Sequence, residues 1–187
     1  MLLKSNYLLY LIIFVLVAGC SQSETERPDS VRRKSPIAIA RALHPATDTY
    51  IKIVYGQPYK KGRTVFGKLV PYNEVWRTGA NEATELTTTG DILLAGNELS
   101  AGTYALLSIP DKNEWTIIIN NKLGQWGAFD YQKEYDELRI EADPHKIDAT
   151  VEAFTVEFTE VIADSTAILM QWDQTEVRIP VTFLPSD

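Results

Sequence analysis

The chain has 187 residues and a formal net charge of −7, and no large basic patch offsets its acids. That balance argues against nucleic-acid binding. Cys20 is the only cysteine, so no intramolecular disulfide is possible and stability must come from a hydrophobic core.

Residues 1–19 read as a lipoprotein signal peptide. Lys4 supplies the positive charge, and Leu8 to Ala18 is a nearly unbroken apolar run. That run is shorter than the ~20 apolar residues of a membrane span. Val17-Ala18-Gly19-Cys20 matches a lipobox, in which the cysteine is acylated on sulfur and becomes the new N-terminus. The alternative is an uncleaved N-terminal anchor with an incidental cysteine. The neutral Ser21 points to the outer membrane, and Glu24 and Glu26 weakly resemble a surface-export signal. Residues 20–48 are expected to form a lipid-anchored polar linker, broken by Pro28 and Asp29. Within it Arg32-Arg33-Lys34 reads as a solvated tether or a contact for anionic head groups. Ile37 to Leu43 fits either a helical turn or an edge strand.

Residues 49–187 are expected to be one β-domain. Ile51, Ile53 and Tyr55 alternate with Tyr50, Lys52 and Val54, which predicts a strand stopped by Gly56-Gln57-Pro58. Tyr59 to Asn73 reads as a long irregular loop, a feature uncommon in compact domains and often functional. Its aromatic residues are expected to pack back onto the sheet. Strands follow at Thr84–Thr89 and Ile92–Leu94. Thr103–Ile109 and Trp115–Asn120 predict a hairpin covered on both faces, because both are apolar at most positions. Leu138–Glu141 is a short strand, and Asp143 to Lys146 a turn. The last third predicts a meander over 154–159, 167–172 and 176–183, with turns at Ala163-Asp164-Ser165 and Asp173-Gln174-Thr175. Pro180 lacks an N–H and places the last strand at an edge, or turns its N–H side outward. The fold class is therefore all-β: an antiparallel β-sandwich of about eight or nine short strands. A partly open barrel or jelly-roll is the alternative.

Several chemistries are set aside. No phosphate-loop spacing is present, and His44 and His145, the only histidines, read as exposed turn residues rather than metal ligands. No cofactor is implied. The densest polar chemistry is Val75-Trp76-Arg77-Thr78-Gly79-Ala80-Asn81-Glu82-Ala83-Thr84, where Gly79 gives the backbone freedom to turn. Arg77 suits bidentate recognition of a carboxylate. Asn81 both donates and accepts, and Glu82 suits a general base if burial raises its pKa. Period two from Thr84 puts Asn81 and Glu82 on opposite faces. The structural alternative is an internal Arg77–Glu82 bridge with Asn81 capping the turn. Trp126, between Gly124 and Gly127, reads as a stacking platform or a loop anchor. Trp115 and Trp172 read as core. Lys60, Lys61 and Arg63 form a basic rim, for an anionic ligand or as a solvated loop.

Lys61-Gly62-Arg63, Phe66 to Tyr72 and the Val75–Thr84 string together resemble the domain of unknown function 2911 family. So do Ala101-Gly102-Thr103-Tyr104, Gln125-Trp126-Gly127 and the closing Trp172-Asp173. The resemblance covers roughly residues 35–184 and implies an exported or lipid-anchored bacterial protein, with no activity attached. One departure is Tyr55-Gly56-Gln57-Pro58, where relatives often carry an arginine in place of Gln57. That substitution weakens any anion site built on the arginine.

The expectation is a lipid-anchored outer-membrane protein, periplasmic or surface-facing, that binds a small molecule or glycan. Its candidate ligand-binding residues are Arg77, Asn81, Glu82, Trp126, Lys61 and Arg63, and Cys20 is the lipidation site that ties it to the membrane. One alternative is a cofactor-independent hydrolase or lyase using Glu82 as base and Arg77 as stabiliser, with Asp130 as a possible second acid. Another is an assembly subunit of an outer-membrane complex.

Overall fold

A computed structural model describes residues 33–185 of the chain. The expected signal peptide and the expected lipidation site Cys20 lie outside the described residues. Lys34 begins a compact unit. It contains ten strands in two antiparallel sheets, one 3₁₀ turn at Lys133–Tyr135 and no α-helix among the described residues.

The strands are β1 (Ile37–His44), β2 (Thr49–Gly56), β3 (Thr84–Thr88), β4 (Ile92–Leu94), β5 (Asn97–Leu99), β6 (Gly102–Ile109), β7 (Trp115–Asn120), β8 (Asp136–Ala142), β9 (Pro144–Phe158) and β10 (Ser165–Phe183). The first sheet runs β1-β2-β3-β6-β7-β8, and the second runs β5-β4-β10-β9. Neither sheet closes on itself, so the fold is a β-sandwich. The inward residues alternate as a half-buried strand requires: Ile51, Ile53 and Tyr55 on β2, Ile117 and Ile119 on β7, Ile179, Val181 and Phe183 on β10. β6 and β7 are covered on both faces, as their composition predicts. Ala105, Leu107 and Ile118 form a second small cluster on the outer face, under Val75, Ala128 and Tyr131.

Four readings need correction. Residues 37–44 are not linker: β1 pairs along its whole length with β2. Its inward positions are Ala40, Ala42 and His44, and alanines are too weakly apolar to announce a core face. His44 is buried rather than exposed. Its ring stacks on Phe183 with centroids 4.7 Å apart, and its Nε2 lies 3.2 Å from Asp164 Oδ1. The expected turn at Asp143–Lys146 is the start of β9, where His145 is exposed. The expected turn at Asp173-Gln174-Thr175 is a bulge inside β10, with Asp173 at φ 56 and register shifts on either side. Turn-forming residues mark a bulge as readily as a turn, and two predicted strands are therefore one strand of 19 residues. β10 lies between β4 and β9, not at an edge, but Pro180 lies beyond the last β9 pairing at Val177↔Pro144. Its missing N–H thus leaves no gap in that ladder.

The long loop after β2 is a crossing between sheets. Phe154 N donates to Pro58 O, and Lys60 N donates to Glu152 O, so the chain first runs beside β9. Residues 61–63 then turn, Val65 and Val70 are buried, and Asn73 N donates to Pro110 O as the chain returns to the first sheet. Phe66 meets Trp76, Trp115 and Trp172 edge-on at 6.1, 4.9 and 6.2 Å between centroids. These side chains, with Phe154, form an aromatic cluster at one end of the sandwich. Two of its members, Trp76 and Trp172, line the candidate site.

Candidate functional site

Trp76 fixes the motif to the sheet. Its backbone exchanges two hydrogen bonds with Ser108 of β6, at 2.7 and 2.9 Å. Thr84 pairs with Leu106 on the same strand. Residues 77–83 are thus a loop whose two ends grip adjacent positions of one strand. Inside it Thr84 N donates to Arg77 O, Thr84 Oγ1 to Thr78 O and Trp76 Nε1 to Gly79 O. Such pairing satisfies backbone carbonyls that would otherwise be orphaned.

The turn residues are not the expected one. Thr78 and Asn81 have positive φ, at 51° and 67°, whereas Gly79 does not. A β-branched residue at such a φ is strained, and Thr78 is held there by full burial and by an Oγ1 bond to Ser108 Oγ at 2.9 Å. Gly79 is required for space: a Cβ there would lie 2.9 Å from Gly56 O.

The loop carrying Trp126 pairs directly with this motif. Ala83 N donates to Gln125 O, Gly127 N donates to Asn81 O, and Glu82 bridges to Trp126. Arg77 Nη1 donates to the same Asn81 O at 2.9 Å. Its guanidinium lies on Gly127, where an added Cβ would sit 3.1 Å from Cζ. The Phe129 ring lies 5.8 Å from that carbon, within cation–π range.

Four of the six sequence-predicted site residues line one cavity of about 400 Å³: Arg77, Asn81, Lys61 and Arg63. Trp76 and Trp172, stacked at 6.0 Å, also line it, with Lys34 and Tyr59 among the other walls. The remaining two residues lie elsewhere. Glu82 lines a smaller cavity of about 170 Å³ with Tyr55 and Glu85. Trp126 is 58% exposed and lines neither cavity. Arg77 and Glu82 thus line different cavities. Asp130 is exposed, and its backbone carbonyl accepts from Lys122 Nζ. Sequence reading missed Lys34, Tyr59 and Trp172 as cavity walls. Lys34 read as tether and Trp172 as core, and only the crossing of the chain brings them together.

The cavity is electrostatically one-sided. Among the described residues, Lys34, Lys61, Arg63 and Arg77 line it, and no carboxylate does. Lys60, beside them in sequence, is paired with Asp173 at the β10 bulge. Arg63 donates to the carbonyls of Lys60 and Tyr59, at 2.9 and 2.6 Å, which fixes its side chain without neutralising it. Burial pushes the Arg77 pKa below its usual value, the response of a cation short of compensating charge. Asn81 Nδ2 is buried and has no hydrogen-bond partner among the described residues. No cluster of three or more metal-ligating side chains occurs among the described residues.

A family model described as "Protein of unknown function (DUF2911)" matches residues 35–181. The chain belongs to this family. The DUF2911 match begins at Ser35, on the cavity wall, and ends inside β10, so it spans every cavity-lining residue named here except Lys34. No curated protein and no solved structure matches this DUF2911 chain.

Proposed function

We propose that this DUF2911 protein is a lipid-anchored cell-envelope domain that binds a small anionic ligand, such as a carboxylated, phosphorylated or sulfated small molecule or glycan. The carrying observation is the cavity lined, among the described residues, by four cations and no carboxylate, in a chain of net charge −7. An excess of acid elsewhere makes a purely cationic concavity a local specialisation rather than a reflection of composition. Its volume suits a small ligand. Arg77 and the amide of Asn81 supply donors, and Trp76 and Trp172 supply flat apolar contact. Where family members carry an arginine, Gln57 stands outside the cavity walls, and the four cations do not depend on it. Lipidation at Cys20 would hold the domain at the outer membrane.

The hydrolase or lyase reading gains no support, because its base and its stabiliser open to different cavities. The assembly-subunit reading likewise has no specific observation behind it.

Calorimetric titration with inorganic phosphate, sulfate and citrate tests the proposal. At least one should bind, and Arg77→Gln should weaken it by roughly ten- to a hundredfold, the loss of a charged hydrogen bond. Arg63→Ala, at an exposed position, should weaken it in the same direction, with a thermal melt to check the loop that Arg63 ties to the Lys60 and Tyr59 carbonyls. Absence of binding by all three anions would rule the reading out.

A further inference from the structure

A second cleft, of about 410 Å³, adjoins the cationic cavity. Leu69, Trp76 and Arg77 line both, so these three side chains form the wall between them. Trp76 is nearly buried, but Leu69 is 38% exposed, so a ligand can pass over the wall at its rim. The far side of the second cleft is apolar and aromatic, with Ala128, Phe129 and Tyr131. We propose that the ligand is an amphipathic anion: its charged end lies in the cationic cavity and an apolar body lies along Phe129. This rests on the anion-binding reading and names the ligand class for that site.

Two observations carry it. Phe129 is 82% exposed, the only exposed phenylalanine among the described residues. It is nonetheless positioned, with its ring against Gly127 and within 5.8 Å of the Arg77 guanidinium carbon. An inorganic anion would fill one cavity and leave this ring in water. A ligand with an apolar body covers it and gains the burial. Charge then sets the direction. Among the described residues, the second cleft carries the carboxylate of Glu74, while the first carries four cations and no acid. The anionic end is repelled from the one and drawn to the other. The chemistry fits a bilayer lipid with an anionic head group and a soluble aryl or acyl anion alike.

The full chain, held in nanodiscs of neutral phosphatidylcholine, is titrated with inorganic phosphate and with 2-naphthyl phosphate. Naphthyl phosphate should bind at least about tenfold more tightly. Phe129→Ala should reduce that preference to less than about threefold, since the side chain that covers the aryl body is gone. Equal binding of the two anions by the unaltered chain, or an unchanged preference in Phe129→Ala, overturns the amphiphile inference and leaves the anion reading standing. Binding of neither overturns both. Discs doped with phosphatidylglycerol separate the sources: weaker naphthyl phosphate binding through Phe129-dependent competition identifies a bilayer lipid, and unchanged binding identifies a soluble ligand.

Discussion

Gly56 holds the tightest backbone approach around the candidate site. A Cβ there would lie 2.0 Å from Ala80 O, a backbone atom that cannot rotate away. Ala80 N in turn donates to Gly56 O at 3.1 Å, so the end of β2 and the motif loop are locked face to face. Gly56→Ala should cost about 3 kcal/mol or more. On the usual scaling for a chain of this size, the melting temperature should fall by roughly 6–12 °C. Gly62→Ala is the control. Nothing lies within 4 Å of its added methyl, and only its φ of 69° is unfavourable, so it should cost about 1 kcal/mol. Equal losses in the two variants, measured by thermal melts, would show that the Gly56–Ala80 contact is not what matters. Part of this site was legible in the residues. Arg77 and Asn81, four residues apart in one motif, share a cavity wall. The role of Gly79 was not legible, because a glycine needed for space and one needed for positive φ look identical in a sequence.

The loop between β7 and β8 carries Trp126, Gly127 and Phe129, and its far end is pinned by a polar network. Tyr131 Oη donates to Asp136 Oδ2 at 2.7 Å, Arg139 Nη1 donates to both, and Asn120 Nδ2 donates to Asp136 Oδ1 at 2.8 Å. Burial, and then the Asp136 carboxylate, push the Tyr131 hydroxyl up to about 12. The folded-state value lies above the ordinary tyrosine value of ~10, so the folded chain holds this proton more tightly than the unfolded chain does. Its contribution to stability is complete below about pH 10 and is lost as pH rises from there towards 12. Denaturant melts across that interval should show the decline, and Tyr131→Phe should flatten it. An equally steep decline in the variant would assign it to other groups. Elements were read unevenly. β2, β6 and β7 were plain because large apolar residues fill their inward positions. β1 was obscure because alanine and histidine fill its own, and the length of β10 was hidden by a bulge with the composition of a turn.

At the scale of the whole molecule, the sequence reading of two layers of antiparallel strands agrees with the structure. The distribution of charge between body and cavity did not emerge until the chain was folded. The proposed anchoring has its own test: Cys20→Ala should shift the protein from the membrane fraction to the soluble fraction and abolish labelling by a palmitate analogue. Retention in the membrane with no label would point to an uncleaved anchor instead. The crossing loop has one more consequence. The walls of the cationic cavity are drawn from Lys34 at one extreme and Trp172 at the other, with the motif and the basic loop between. Contacts so distant in sequence close late and at high entropic cost during folding. A fragment that lacks either extreme therefore lacks part of the cavity wall. On the proposed function, bound anion would stabilise only the completed sandwich, which would make ligand occupancy a reporter of whether the chain has finished folding.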